Sequence, residues 1–337
     1  MMDRKRFCAV TCAALGAVGF GRRAAAFNEP TIRVLLGRGS ALPVDADSFS
    51  FGSRTFRGRF SVLPDGQVIN IIALEQYLCG VVPMESPRTW PPAALQAQAI
   101  LARTYALSRI NTNRPYDLSA SQRDQAYGGI SAEHRETNDA VNATAGQIVM
   151  YDGAPASVSY MSCCGGHTEA AADAWSGGAE QPYLQGVVCT HCAASPDYRW
   201  TSEVPWTNVA NALTSQFGGF GMLRSIEIAG TTRSGRTKEL RFSDGTEQRS
   251  ISGADFRRAA GAMNVKSLLL RALHVRAGGA DLADPSEGAT TIVIDGAGRG
   301  HGVGLCQWGA RGLASLGRSA GEIAGFYFPG TQVSTVS

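Results

Sequence analysis

The sequence predicts an α+β fold: a mixed-strand core with helices around a cleft, plus a small inserted α+β subdomain. Three observations predict it. Short strand-like runs bounded by turn residues occur near both ends of the chain. A long alanine-rich helical repeat lies between Thr89 and Arg109. Residues 201–280 read as a meander with a helix, set between two motif-rich regions. With 337 residues and 44% hydrophobic content, the chain is long and apolar enough for about two cores. The expected division is 27–200 with 281–337 as the core and 201–280 as the insert.

Taken in order, Thr31 to Leu36, Thr55 to Leu63 and Val68 to Ile72 read as strands, with Pro64-Asp65-Gly66 as a turn. A short helix is expected from Leu74 to Val81. Pro83-Met84-Glu85-Ser86-Pro87 then reads as a stiff loop, because each proline disfavours helix in the residue before it. Thr89 is the expected cap of the next helix, with Pro91 or Pro92 in its first turn and its end near Arg109. Leu95, Ala99, Ala102 and Ala106 follow the helical repeat and should face a core. A helix over Thr137 to Ala145 should stop at Gly146. Gln147 to Tyr151 and Ala156 to Met161 flank Asp152-Gly153, a hairpin signal. Leu223 to Ala229, Lys238 to Phe242 and Glu247 to Ser250 form the meander, and Ser252 starts a short helix. Thr291 to Ile294 is the last strand-like run.

The N-terminus has the pattern of an export signal. A basic start at Arg4-Lys5-Arg6 precedes an apolar run from Phe7 to Phe20, and Ala24-Ala25-Ala26 offers a cleavage site after Ala26. Arg22 and Arg23 between run and cleavage site are unusual, and retention as an anchor is the alternative. The expected location is the periplasm or cell envelope. Residues 1–26 carry five basic residues and one acid, a net +4, against +3 for the whole chain, which leaves about −1 after cleavage. The basicity thus belongs to the signal, and no nucleic-acid partner is expected.

Six cysteines would remain: Cys79, Cys163, Cys164, Cys189, Cys192 and Cys306. An oxidising compartment favours disulfides. The alternative is a zinc-like set of Cys164, His167, Cys189 and Cys192, since Cys-x-x-Cys with a Cys/His pair suits that metal. No cofactor is otherwise called for.

The segment GAGRGHGVGLCQWGARG, Gly296 to Gly312, places a glycine at nearly every second position around His301. It fails the dinucleotide fingerprint: three residues after Gly298 stands His301, and three after Gly300 stands Val303. The Lys-Ser/Thr ending of a phosphate loop is absent too. Gln307 and Trp308 supply an amide and an aromatic plane, which suits an extended polar ligand such as a sugar chain.

Three segments together resemble the SpoIID/LytB family. They are LEQYLCGVVPMESPRTWPPAALQAQAILARTYAL (Leu74 to Leu107), SVSYMSCCGGHTEAAADAW (Ser157 to Trp175) continuing to YLQGVVCTHCAASPDYRW, and GRGHGVGLCQWGA followed by FYFPGTQV. The resemblance implies an exported lytic transglycosylase that cleaves peptidoglycan glycan strands lacking stem peptides. It also implies a catalytic glutamate in the Val-Val-Pro-x-Glu turn, here Glu85. The alternative within the family is a non-catalytic glycan-binding protein that enhances a cell-wall amidase. A thiol enzyme using Cys164 and His167 is a third class.

The residues themselves support an acid at Glu85. A carboxyl on a stiff, partly desolvated bend would have a raised pKa and stay protonated for transfer to a glycosidic oxygen. The competing reading is a solvated carboxylate paired with Arg88. Ordinary glycosidases need two carboxylates, and Asp124 is the best second one. Expected substrate contacts are Arg103 and Tyr105 from Ala-Arg-Thr-Tyr, Gln125 and Tyr127 from Gln-x-Tyr, and His167, His301 and Gln307. Arg103 and Tyr105 are equally readable as loop-holding and core residues. Two departures stand out. Leu118 to Asp124 lacks the Cys/His cluster that many relatives carry before Gln-x-Tyr, so that zinc site is not transferred. Ser86 also replaces the usual methionine after the glutamate.

Overall fold

The structure is a computed structural model that describes residues 29–175, 180–217, 223–277, 280–281 and 290–336. The export segment expected over residues 1–26 lies outside them. Among the described residues no helix is long and apolar enough to cross a membrane. The helices are α1 (Leu74–Glu85), α2 (Pro92–Arg109), α3 (Arg135–Ala143), α4 (Ala171–Ala174), α5 (Trp206–Phe217), α6 (Gly253–Ala260), α7 (Gln307–Ser315) and α8 (Ala320–Tyr327). Small, mainly antiparallel sheets accompany them, and none among the described residues closes into a barrel, so the fold is α+β.

Thr31–Arg38 pairs antiparallel with Gln67–Ala73, which pairs in turn with Arg59–Val62. The strand expected over Thr55 to Leu63 is instead two, Arg54–Arg57 and Arg59–Val62. Gly58 separates them: its φ is +82° and its Cα faces the Ile71 carbonyl so closely that a side chain would collide.

Helix α1 corrects the sequence reading. It continues four residues past Val81, through Pro83, and ends at Glu85. Pro83 removes a donor in the last turn, and an interior proline costs about 3 kcal/mol or more. Val81 and Val82 are wholly buried, and full burial contributes about 1.5–3 kcal/mol per side chain. Burial of this pair, about 3–6 kcal/mol together, offsets a cost of that order. The Ser86 N–H closes the helix on the Val82 carbonyl at 2.9 Å, and the Ser86 side chain is buried. Glu85 thus stands at a helix C-terminus rather than on an open loop.

Helix α2 begins at Pro92 with Pro91, not Thr89, at its cap. It is buried on two sides rather than one. Ala99, Ala102 and Ala106 pack with Ile32, Val34, Leu78 and Val82. Ala97, Ile100 and Leu101 pack with Val149, Leu305, Ile323 and Phe328 in a second cluster. Small residues on α2 let neighbours approach from both directions, which makes it the spine of the molecule.

After α3, Gln147–Tyr151 turns at Asp152 (φ 49°) and Gly153 (φ 77°) into Ala154–Pro155. The second arm expected to continue to Met161 does not do so. The chain leaves the hairpin, and Tyr160–Met161 pairs in parallel with Leu305–Cys306. That two-residue joint connects segments far apart in sequence and brings the glycine-rich motif against the middle one.

A third cluster contains Trp200, Val204, Leu240, Phe242, Phe256, Ile292 and Ile294. Thr291–Gly296 lies between Trp200–Pro205 and Leu270–Ala277, antiparallel to both. Ser225–Thr231, Thr237–Ser243 and Gln248–Ser252 form the antiparallel meander. The Ser252 side chain accepts from the Asp255 N–H and caps α6.

Candidate active site

Glu85 is held by two polar contacts from distant parts of the chain. Its Oε1 accepts the Ala126 N–H at 3.1 Å, and the Gln307 Nε2 approaches its Oε2 at 3.4 Å. The same Gln307 nitrogen lies 3.3 Å from the Gln98 Oε1. Burial pushes the Glu85 pKa above the ordinary carboxylate value, and the two donors only partly offset it. The carbonyl end of α1 adds a negative partial charge that further disfavours the ionised form. Arg88 does not neutralise the acid; its guanidinium lies 3.8 Å from Glu136. Glu85 is therefore a partly desolvated carboxyl suited to holding a proton.

Asp124 is committed elsewhere. Its Oδ1 accepts from the Tyr105 hydroxyl at 3.2 Å, and its Oδ2 accepts from the Ser119 N–H and hydroxyl at 2.9 and 2.7 Å. Beneath the acid, the Tyr77 hydroxyl donates to the Gln125 Oε1 at 3.1 Å, while the Gln125 Nε2 reaches the Ala102 carbonyl and the Tyr160 hydroxyl. Gln125 is buried within this network. Tyr127 is buried too, with its hydroxyl on the Asn70 Oδ1 at 3.0 Å.

Arg103 is wholly buried and faces no cleft. Its Nε and Nη2 donate to the two Glu75 oxygens, each at 2.7 Å, and its Nη1 and Nη2 reach the Gln147 and Val141 carbonyls. Its planar fork is used up inside the protein, which favours the loop-holding reading over the sugar contact. Tyr105 is half-buried, with the Arg109 guanidinium 4.7 Å from its ring centre.

An aromatic pair joins the two segments that meet at Glu85; the sequence marks Trp308 but not Trp90. Trp90, just beyond the acid, meets Trp308, next to Gln307, edge to face at 5.3 Å. Both are partly exposed, and Arg311 stacks over Trp308 at 4.9 Å. Gln98, one of the fully enclosed polar residues of α2, was equally unmarked. The available signal was spacing: Trp90 and Gln98 flank the start of α2, and Trp308 adjoins Gln307.

His301 hydrogen-bonds to Tyr160 and Val303 rather than to Glu85. Its Nε2 lies 3.0 Å from the Tyr160 carbonyl and its Nδ1 accepts from the Val303 N–H at 3.1 Å, the neutral tautomer. Part of the residue stays accessible, yet desolvation of the ring, with Arg236 and Arg257 adding repulsion, pushes its pKa down to about 4. It lines a cavity of about 650 Å³ with Trp175, Glu169, Arg236, Arg257 and Arg258. Glu85 is not among that cavity's walls. The acids of that wall are committed: Glu169 accepts from the Thr232 and Ser234 hydroxyls at 2.6 and 2.8 Å, and Asp173 pairs with Arg233 at 3.1 Å.

His167 is half-buried, with its Nδ1 on the Thr168 carbonyl. It does not join the cysteines. The sulfurs of Cys164, Cys189 and Cys192 do come together, and their fourth neighbour is Cys306.

Residues 65–151 match the family model described as stage II sporulation protein, SpoIID. An uncharacterised protein of Brachyspira hyodysenteriae is 31% identical over 293 residues, covering 85% of this chain and 74% of that protein. Stage II sporulation protein D of Bacillus subtilis is 27% identical over 292 residues, covering 80% of this chain and 76% of that protein. The amidase enhancer of Bacillus subtilis is 27% identical over 293 residues, covering 77% of this chain but 40% of its own length. On this similarity along most of its length, the chain belongs to the SpoIID/LytB family.

Proposed function

We propose that this protein is an exported lytic transglycosylase acting on peptidoglycan glycan strands without stem peptides, with Glu85 as its acid and base. The observation that carries the reading is the setting of Glu85. It is a single carboxyl, desolvated at a helix end and steadied by Ala126 and Gln307, whose chain neighbour Trp308 meets Trp90. Protonated Glu85 gives its proton to the glycosidic oxygen as the bond to the anomeric carbon breaks. The resulting carboxylate takes the proton from the sugar's own 6-hydroxyl as that oxygen closes on the anomeric carbon. The ring closure leaves an anhydro-muramyl end and consumes no water. One acid suffices for this sequence, whereas hydrolysis calls for a second carboxylate across the bond. The commitment of Asp124 to Ser119 and Tyr105 supports the one-acid route. Trp90 and Trp308 offer an apolar edge against which a sugar ring stacks.

The similarity to an amidase enhancer favours a second reading, in which the protein binds glycan and stimulates a cell-wall amidase without cutting. In the first reading an amidase acts earlier, because it produces the peptide-free strand. Incubating the protein with peptide-free glycan and analysing the products by mass spectrometry separates the two. Anhydro-muramyl products that disappear in Glu85→Gln support the transglycosylase. Products that persist undiminished in Glu85→Gln remove Glu85 from the chemistry. No product from either protein, with strand binding intact, leaves the enhancer reading.

A further inference from the structure

The sulfurs of Cys164, Cys189, Cys192 and Cys306 all lie within 4.8 Å of one another, and all four residues are buried. They arrive from three places: the segment after Tyr160–Met161, the Cys189-x-x-Cys192 loop, and the residue that caps α7. Each is a free cysteine in the structure. We propose that these four side chains, as thiolates, hold one tetrahedral zinc ion, and that Cys306 rather than His167 is the fourth ligand. The inference does not depend on the reaction assigned to Glu85.

The geometry suits such an ion. Zinc–sulfur bonds of about 2.3 Å in a tetrahedron set the sulfurs about 3.8 Å apart, and Cys164 and Cys192 are separated by 3.6 Å. Soft thiolate ligands arranged this way favour zinc over harder divalent ions. All four positions are filled by protein, so the site is structural.

The surroundings are arranged for thiolates. The Cys306 sulfur receives the Cys164 N–H at 3.2 Å and the Gly309 N–H at 3.3 Å. It also lies at the positive end of α7. The Tyr327 hydroxyl is 3.2 Å from the Cys189 sulfur. Four thiolates and a divalent ion carry a net double negative charge. The buried Arg236 guanidinium, donating to the Cys164 carbonyl at 3.0 Å, partly balances it. A side chain on Gly309 would run into both Tyr327 and Cys189, so this approach tolerates only glycine. Cys163, next to Cys164 in the chain and also buried, is not one of the four. Binding releases the thiol protons to solvent, with no change of oxidation state.

The test is metal analysis of the full chain purified with reductant, before and after reconstitution with zinc. One zinc per chain is expected. Cys306→Ser should lose it, while His167→Ala and Cys163→Ser keep it. Tyr327→Phe, which removes an outer-shell hydroxyl, should weaken zinc affinity by roughly 10–100-fold. If Cys306→Ser does not fold, cobalt substitution of the unaltered protein decides: its thiolate-to-metal absorption should report four sulfurs. Three sulfurs with one nitrogen, or zinc lost by His167→Ala but kept by Cys306→Ser, overturns the ligand set. Absence of stoichiometric metal, with peptide mapping that shows disulfides among the four, overturns the site altogether.

Discussion

Replacing Arg103 by methionine tests whether this residue holds the fold or touches a sugar. The guanidinium makes two 2.7 Å bonds to Glu75 and reaches the Gln147 and Val141 carbonyls at 3.0 and 3.3 Å. Its side chain is fully buried and that of Glu75 is 17% exposed. Removing it strands the Glu75 carboxylate, which keeps only the Gly146 N–H at 3.3 Å. Breaking one side of a buried pair costs about 3–5 kcal/mol. Removing both charges in Arg103→Met/Glu75→Leu should recover most of that, because an apolar replacement of similar volume is often near neutral. Equilibrium urea unfolding of the parent, both single variants and the double variant measures the cycle. A single variant within about 0.5 kcal/mol of the parent, the range of an ordinary surface change, refutes the reasoning. So does weakened glycan binding by a variant of full stability.

Other predictions concern the acid and its neighbours. Because burial raises the Glu85 pKa, its protonated form is favoured by folding. That stabilising contribution is complete below the unfolded pKa and is lost as pH rises through the raised folded one. Glu85→Gln should therefore gain stability over the parent as pH rises towards neutrality, and thermal melts at several pH values check it. Glycan cleavage should likewise fall on the alkaline side of that raised pKa. Trp308→Ala should raise KM for glycan more than it lowers kcat, as loss of uniform binding requires; comparable stability of the variant and parent excludes a packing defect. Gly80→Ala should cost about 1–3 kcal/mol, since its new carbon would enter the Tyr127 ring, and urea unfolding reads it directly.

Much of the scaffold was legible locally. The alanine spacing of α2, the Asp152-Gly153 turn and the Ser252 cap are decisions made within a few residues, and sequence patterns report those well. Helix α1 was misjudged at Pro83 because a local penalty was read without the burial of Val81 and Val82 that offsets it. Arg103 reads equally as a ligand contact or a loop-holding residue in the sequence; only the pairing with Glu75, twenty-eight positions away, shows where its charge goes. The neighbours of Glu85 were harder still. Ala126 and Gln307 reach it across 41 and 222 positions, and no periodicity encodes such distances. Cys306 escaped for the same reason: nothing beside it in sequence points to Cys164.

The contact between Gln307 and Glu85 has a consequence for biosynthesis. A ribosome adds roughly 5–20 residues per second, so the amide follows the acid by about 10–45 s across 222 positions. During that interval the emerging polypeptide owns its acid but not the group that steadies it. A product truncated before Gln307 should therefore remain inert, however well its earlier half has folded. On the role proposed for Glu85, catalytic competence thereby waits on the synthesis of Gln307.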